Sequence, residues 1–226
     1  MKSGIRTIKD LFEYLNANCT YVVLRNWDDI FDENIYGTGH EDIDIMCDNI
    51  DTFIQLTNAQ RINGDKYRDN LVVTVDSMKV RFDVRYIGDN YYPAEWQKKI
   101  LDRRIQLPNS LYVMCEEDYV YSLAYHALCQ KPSLSEEYYS KITVAYKKLL
   151  NMDSSINIDK ADLIRILMRY CTNQGYRVFT PEDPGVFINW ENMKQLHVTD
   201  SYNKKIRRLN LRISQKIASI KKRIKK

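Results

Sequence analysis

Glycine is scarce in this sequence, 7 of 226 residues, which speaks against a loop-built scaffold and for regular elements. No stretch approaches the roughly 18 to 20 consecutive apolar residues that a membrane-spanning helix takes. Met1 to Asp10 lacks the apolar core of a secretion signal. From these two absences we expect a cytoplasmic protein, soluble or peripheral at the inner face of a membrane. The five cysteines, Cys19, Cys47, Cys115, Cys129 and Cys171, include no Cys-x-x-Cys pair. An odd number of thiols inside apolar runs argues against a disulfide framework and for reduced, buried side chains. There is also no P-loop, no Ser-His-Asp order, no zinc-ligand spacing and no internal repeat.

Tyrosine, by contrast, is abundant at 17 residues, and 44% of the chain is hydrophobic, enough for a sizeable core. Charge is unevenly placed. Lys204 to Lys226 holds 11 Lys and Arg and no acid, so removing that segment from the net of +4 leaves the rest of the chain at −7. Along the tail, Ile206, Leu209, Ile213, Ile217, Ile220 and Ile224 recur at helical spacing on an otherwise cationic helix. Such a helix suits an anionic membrane surface; the other reading is packing on the domain or on a second copy. Nucleic acid is not expected as a partner, because the body is acidic and the tail lacks interleaved aromatics.

The apolar spacing predicts a helix over 5–17, capped by Thr7 or Ser3, then a buried strand over 20–25. A polar connection and a Gly37–Gly39 turn lead into a strand opened by Glu41-Asp42-Ile43-Asp44-Ile45. A helix over 51–59 with Asp51 as its cap follows, then a hairpin of 70–75 and 79–87 around Asp76-Ser77-Met78. Helices are predicted over 94–104, 116–130, from the Ser133-x-x-Glu136 box to about 150, and over 159–173. Short strands are expected at 176–179 and 185–189. The fold class is α+β: a mixed sheet with flanking helices over 1–107, a mostly helical region over 108–200, and a basic amphipathic helix over 201–226.

In a strand, Asp42 and Asp44 face the same way while Ile43 and Ile45 face a core. On the later strand Arg81, Asp83 and Arg85 share the polar face. Three carboxylates on neighbouring strands can hold Mg²⁺ or Mn²⁺, and with it phosphate oxygens, as in-line phosphoryl or nucleotidyl transfer requires. Asp42, Asp44 and Asp83 are therefore the candidate metal ligands and catalytic residues. Arg81 and Arg85 could clamp phosphate or simply neutralise Asp83. His126 and Lys131, near a helix C-terminus, are candidates for phosphate binding or for complementing the helix dipole. His40, beside the acidic pair, could ligate metal but reads rather as an exposed loop residue, His197 has no partners at metal spacing, and Trp27, Trp96 and Trp190 read as core or groove residues.

The apolar strand, the Gly turn, Glu41-Asp42-Ile43-Asp44-Ile45 and the later Phe82-Asp83-Val84 resemble the nucleotidyltransferase (polymerase β-like) superfamily. Within it, Tyr21-Val22-Val23-Leu24-Arg25, Asp83-Val84-Arg85-Tyr86-Ile87-Gly88-Asp89, Tyr125-His126-Ala127-Leu128-Cys129-Gln130-Lys131 and Ser135-Glu136-Glu137-Tyr138 are similar to nucleotidyltransferase-like proteins of bacterial surface-polysaccharide clusters. More distantly the Asp-x-Asp region resembles the LicD and fukutin phosphotransferase group. The resemblance implies a metal-dependent transferase with a nucleotide-activated donor and a glycan or lipid-linked glycan acceptor. It adds Arg25, Gly37 and Gly39 to the candidates for phosphate contact. One departure is plain: the superfamily's Gly-Ser pair is replaced by Arg25-Asn26-Trp27. Two alternatives stand beside this reading. One is a GT-A-type glycosyltransferase whose Asp-x-Asp holds Mn²⁺ and a nucleotide sugar, although only 41 residues precede Asp42 here. The other is a non-catalytic adaptor that keeps the fold.

Overall fold

Thr7 and Asp10 open the first helix. The Thr7 hydroxyl accepts from Asp10 N at 3.0 Å and the Asp10 carboxylate accepts from Thr7 N at 3.0 Å, closing two donors that a helix start leaves open. Helix α1 (Ile8–Asn18) then buries Ile8, Leu11, Phe12 and Leu15, the apolar stripe read from the sequence. The computed structural model describes residues 5–38, 42–62, 70–183 and 185–200, together with Ile206, Leu209 and Ile213.

Among the described residues the frame is one mixed sheet of seven strands with helices on both faces. The strands are β1 (Tyr21–Val23), β2 (Asp42–Cys47), β3 (Gln60–Arg61), β4 (Asn70–Val75), β5 (Met78–Tyr86), β6 (Ile105–Gln106) and β7 (Tyr112–Val113). Their order is β3-β4-β5-β2-β1-β7-β6. Pairs β2–β5 and β1–β7 are parallel and the others antiparallel. Strands β6 and β7, absent from the sequence reading, lie on either side of Pro108, so the sheet takes in segments from both sides of that residue. Both are two residues long, too short for a periodic signal.

Each sheet face has its own core. Helix α1 and helix α2 (Ile50–Thr57) cover one, where Tyr21, Val23, Ile43, Ile45, Val73, Val80, Phe82 and Val84 are buried. Phe82 anchors that side, 5.6 Å from the Phe53 ring and 6.5 Å from the Phe12 ring; burying a side chain of this size stabilises by roughly 2–3 kcal/mol. The other face meets α3 (Ala94–Asp102), α4 (Glu116–Cys129), α5 (Glu136–Leu149), α6 (Lys160–Asn173) and α7 (Trp190–Gln195). There Val22, Leu24 and Met46 join Trp96, Tyr92, Tyr125 and Leu167. Trp96 is fully buried, as a core residue, and its Nε1 donates to Asp118 Oδ1 at 2.9 Å.

Several expectations are corrected. Asn49, not Asp51, caps α2, its side chain accepting from Thr52 N at 3.0 Å. Ser135, not Ser133, caps α5, accepting from Tyr138 N at 3.2 Å; the Ser133-x-x-Glu136 spacing matched a box that Ser135 pre-empts. Residues 176–179 and 185–189 are not strands: Val178 O accepts from Thr199 N at 3.0 Å instead of joining a ladder, and Asn189 caps α7. Gly37 falls in a short 3-10 helix (Glu33–Thr38) instead of a free turn, and Gly39 and His40 lie outside the described residues. In the tail, Ile206, Leu209 and Ile213 are helical and exposed, at 40%, 58% and 49%. Among the described residues no helix is long and apolar enough to cross a membrane.

Candidate functional site

Alternation along β2 and β5 sends Ile43, Ile45, Phe82 and Val84 into the α1–α2 core and leaves Asp44, Asp83 and Arg85 on the opposite face. The register does the rest. Asp44 lies beside Asp83 across the parallel pair, and Asn70 lies beside Asp83 across the hairpin, so three polar side chains form a row over β2, β5 and β4. The two-residue Asp76-Ser77 turn, with Asp76 at φ +53°, sets that hairpin register.

Each carboxylate has its own arginine. Arg25, two residues beyond β1, donates Nε to Asp44 Oδ2 at 2.8 Å and Nη2 to Asp44 Oδ1 at 2.9 Å. This is the bidentate geometry that makes such pairs strong. Arg85 Nη2 donates to Asp83 Oδ2 at 2.9 Å. The same nitrogen is 2.7 Å from Asp83 Oδ1, so both carboxylate oxygens lie against the Arg85 guanidinium. Arg85 Nε is buried and makes no hydrogen bond. Arg85 Nη1 reaches Asp183 Oδ2 at 3.2 Å, and the guanidinium lies 4.4 Å from the centre of the Tyr91 ring. Burial, reinforced by the nearby Asp44 charge and opposed by Arg85, holds the Asp83 carboxyl above its usual range.

These groups line a cavity of about 520 Å³, together with Asn26, Tyr91, His126, Gln130, Lys131, Tyr138 and Phe187. That volume suits a nucleotide-sized ligand. A second cavity, of about 710 Å³ between Trp27, the β6–β7 edge and helices α4 and α5, is more apolar and has none of the strand carboxylates.

Of the residues expected at the site, Asp44, Asp83, Arg25, Arg85, His126 and Lys131 meet in the first cavity. Asp42 and Arg81 do not. They are register partners of one another, exposed, one alternation step away and outside the cavity lining. Among the described residues no group of three or more His, Cys, Asp and Glu side chains is placed to hold a metal ion, so the expected trio of carboxylates is a pair here. His126 is also not the cation that its place near a helix end suggested. Burial first, then the charges of Arg25 and Lys131, push it down to about 2, with only Gln130 acting strongly the other way. Its Nδ1 sits 2.9 Å from the Tyr91 hydroxyl.

Sequence reasoning missed Asn70, Tyr91, Gln130 and Asp183. Asn70 faces Asp83 because Met78 opens β5 and the turn is two residues long; the three-residue Asp76-Ser77-Met78 turn expected from the sequence would have set Asn70 opposite Val84. Tyr91 and Asp183 sit between the elements expected from the sequence, and Asp183 also binds its own loop by accepting from Gly185 N at 2.7 Å. Comparison with protein-family models, with curated proteins and with solved structures finds no match for this chain.

Proposed function

We propose that the protein is a metal-dependent transferase of nucleotidyltransferase-like fold. It moves a nucleotidyl or phospho-linked group from a nucleotide-activated donor to a cell-surface polysaccharide or its lipid-linked precursor. The observation that carries this reading is the in-register pair Asp44 and Asp83 on the wall of the cavity of about 520 Å³, beside Arg25, Arg85 and Lys131.

The charge balance supports the same reading. Asp44, Asp83 and Asp183 face Arg25, Arg85 and Lys131 around the cavity, so its charged side chains sum to nothing. A lone cation or a lone anion would upset that balance, whereas Mg²⁺ or Mn²⁺ arriving with phosphates would not. Mg²⁺ is commonly held by one or two carboxylates plus substrate phosphates, and Asp44 and Asp83 supply two. Bound there, the ion would polarise the phosphate and offset its charge. Arg25, Arg85 and Lys131 would grip phosphate oxygens, and Asp183 would keep Arg85 in place. The basic tail would hold the protein at an anionic membrane surface, where a lipid-linked acceptor lies.

A thermal-shift screen of nucleoside triphosphates and of CDP-, UDP- and GDP-linked donors, each with Mn²⁺, tests the reading. Mn²⁺ and a donor together are expected to stabilise the protein, and Asp83→Asn to abolish that response. An equal response in Asp83→Asn would overturn it. The non-catalytic adaptor gains support from one observation, that Arg25 already occupies both oxygens of Asp44. That alternative predicts no response to Mn²⁺ with any donor.

A further inference from the structure

His126 belongs to the cavity wall and is 7% exposed. Its hydrogen bonds settle which ring nitrogen carries the proton. Gln130 Nε2 donates to the Tyr91 carbonyl oxygen at 2.7 Å. A carbonyl only accepts, so the amide orientation is set, and Gln130 Oε1 is the atom 3.0 Å from His126 Nδ1. Two lone pairs at that distance would repel, so Nδ1 carries the hydrogen. The Tyr91 hydroxyl oxygen, 2.9 Å from the same nitrogen, then shares the one Nδ1–H with Gln130 Oε1 in a three-centre bond and also accepts from Arg25 Nη2 at 3.3 Å. With two donors already on its oxygen, the phenol keeps its own hydrogen for a third partner. Nε2 is left with a bare lone pair, and no described residue bonds to it.

This arrangement turns phosphate away from His126. A phosphate oxygen at Nε2 would again set lone pair against lone pair. The imidazole also stays neutral across the physiological range, for burial and the surrounding cations Arg25, Lys131 and Arg85 all disfavour a second proton. What the wall offers is one acceptor, His126 Nε2, and one donor, the Tyr91 hydroxyl. The two point from opposite edges of the imidazole, so a polyol answers both, one hydroxyl donating to Nε2 and another accepting from Tyr91.

We infer that this wall is a hydroxyl-recognition subsite, in which His126 Nε2 accepts from one hydroxyl and Tyr91 donates to another hydroxyl of a ligand whose phosphate is held by Arg25, Arg85 and Lys131. The ligand class is a phosphorylated sugar or polyol, the nucleotide ribose included. The inference rests on the phosphate-binding part of the function proposed above. His126 is a specificity residue in this scheme, and no proton moves.

Two measurements test it. Two-bond ¹H–¹⁵N correlation spectra of the full chain carrying His40→Asn and His197→Asn leave His126 as the one imidazole, three histidines being present in all. Nδ1 is expected to be protonated and Nε2 bare, with no titration near neutral pH; an Nε2-protonated or freely titrating ring overturns the subsite. Calorimetry then compares glycerol 3-phosphate with n-propyl phosphate, which match in size and differ in hydroxyls. The wild type is expected to favour glycerol 3-phosphate by about fivefold or more, the worth of one ordinary hydrogen bond. His126→Phe is expected to erase that preference while keeping its affinity for n-propyl phosphate. A wild type with no preference, or a preference that survives in His126→Phe, overturns the subsite and leaves the cation-and-phosphate reading standing. Binding of neither compound overturns the phosphate grip on which both rest, with the spectra still deciding the state of the ring.

Discussion

Arg85 on β5 and Asp183 in the loop before α7 form an ion pair at 3.2 Å, each side chain 5% exposed, across 98 residues of sequence. The same guanidinium serves Asp83 on its other side. The polar face of the sheet is therefore completed by a carboxylate from the far end of the chain. Arg85, stacked on Tyr91, is held on three sides before any ligand arrives.

Removing one partner of such a pair leaves a buried charge without its counter-ion, which costs on the order of 3–5 kcal/mol. Asp183→Ala is accordingly expected to destabilise the protein by about 3 kcal/mol, and Asp183→Asn by less, because the amide oxygen can still accept. Urea unfolding at neutral pH measures both. A loss under about 1 kcal/mol in Asp183→Ala, the scale of an exposed ion pair, would show that the contact is a loose surface pair.

Asp183 also shows where the sequence was legible and where it was not. That Asp44 and Asp83 lie on the polar faces of their strands followed from period-2 alternation, a local signal that survives without any knowledge of tertiary contacts. The same logic named Asp42 and Arg81, yet they sit at the exposed end of the strands, because alternation fixes a face and says nothing of position along it. The buried stripe of α1 and its cap at Thr7 were equally readable. Asp183, Tyr91 and Gln130 enter the site through long-range packing, which leaves no periodic trace. Ser135 and Asn49 took caps assigned to neighbours for a related reason: several residues there could cap, and packing chose among them.

Histidine and aspartate titrations oppose each other in this fold. His126 is pushed from 6.5 down to about 2, so below pH 6.5 the unfolded chain binds a proton that the native state refuses, and stability falls as pH falls. Asp89 behaves oppositely. Burial raises it from 3.8 to about 6, so between those values the native state takes up a proton that the unfolded chain does not, and stability rises as pH falls. Each slope is at most about 1.4 kcal/mol per pH unit. The wild type should lose stability from pH 6.5 to about 6, and below that the raised carboxyls of Asp89 and Asp83 oppose the histidine slope. His126→Gln should instead gain stability over the lower window. Urea midpoints across this range check it; an unchanged profile in His126→Gln would mean that His126 titrates freely.

The first helix offers a simpler test. Thr7→Ala removes a side-chain cap from Asp10 N and disrupts its reciprocal box, at an expected cost of about 1 kcal/mol. Thermal unfolding should show a corresponding fall in Tm, with Thr7→Ser restoring most of it. No recovery with serine would mean that the Thr7 methyl, and not the hydroxyl, is what α1 needs.

The tail sets two forces against each other, and their balance can be measured. Ile206, Leu209 and Ile213 expose apolar surface, while Lys204 to Lys226 carries 11 cations without one acid. Near an anionic bilayer each cation contributes on the order of 1 kcal/mol, and the contribution is screened over roughly 8 Å at physiological salt. The apolar residues add an insertion term that salt does not weaken. Sedimentation with phosphatidylserine-containing vesicles should therefore capture the full chain strongly at low salt and weakly at high salt, and pure phosphatidylcholine vesicles should capture little. Ile213→Glu should reduce binding at every salt concentration, whereas Lys221→Gln with Lys222→Gln should reduce it chiefly at low salt. Removing residues 202–226 should abolish it. Vesicle binding that survives this deletion would place the membrane contact elsewhere. Binding indifferent to lipid charge would mean that the stripe, and not the basic face, is the determinant.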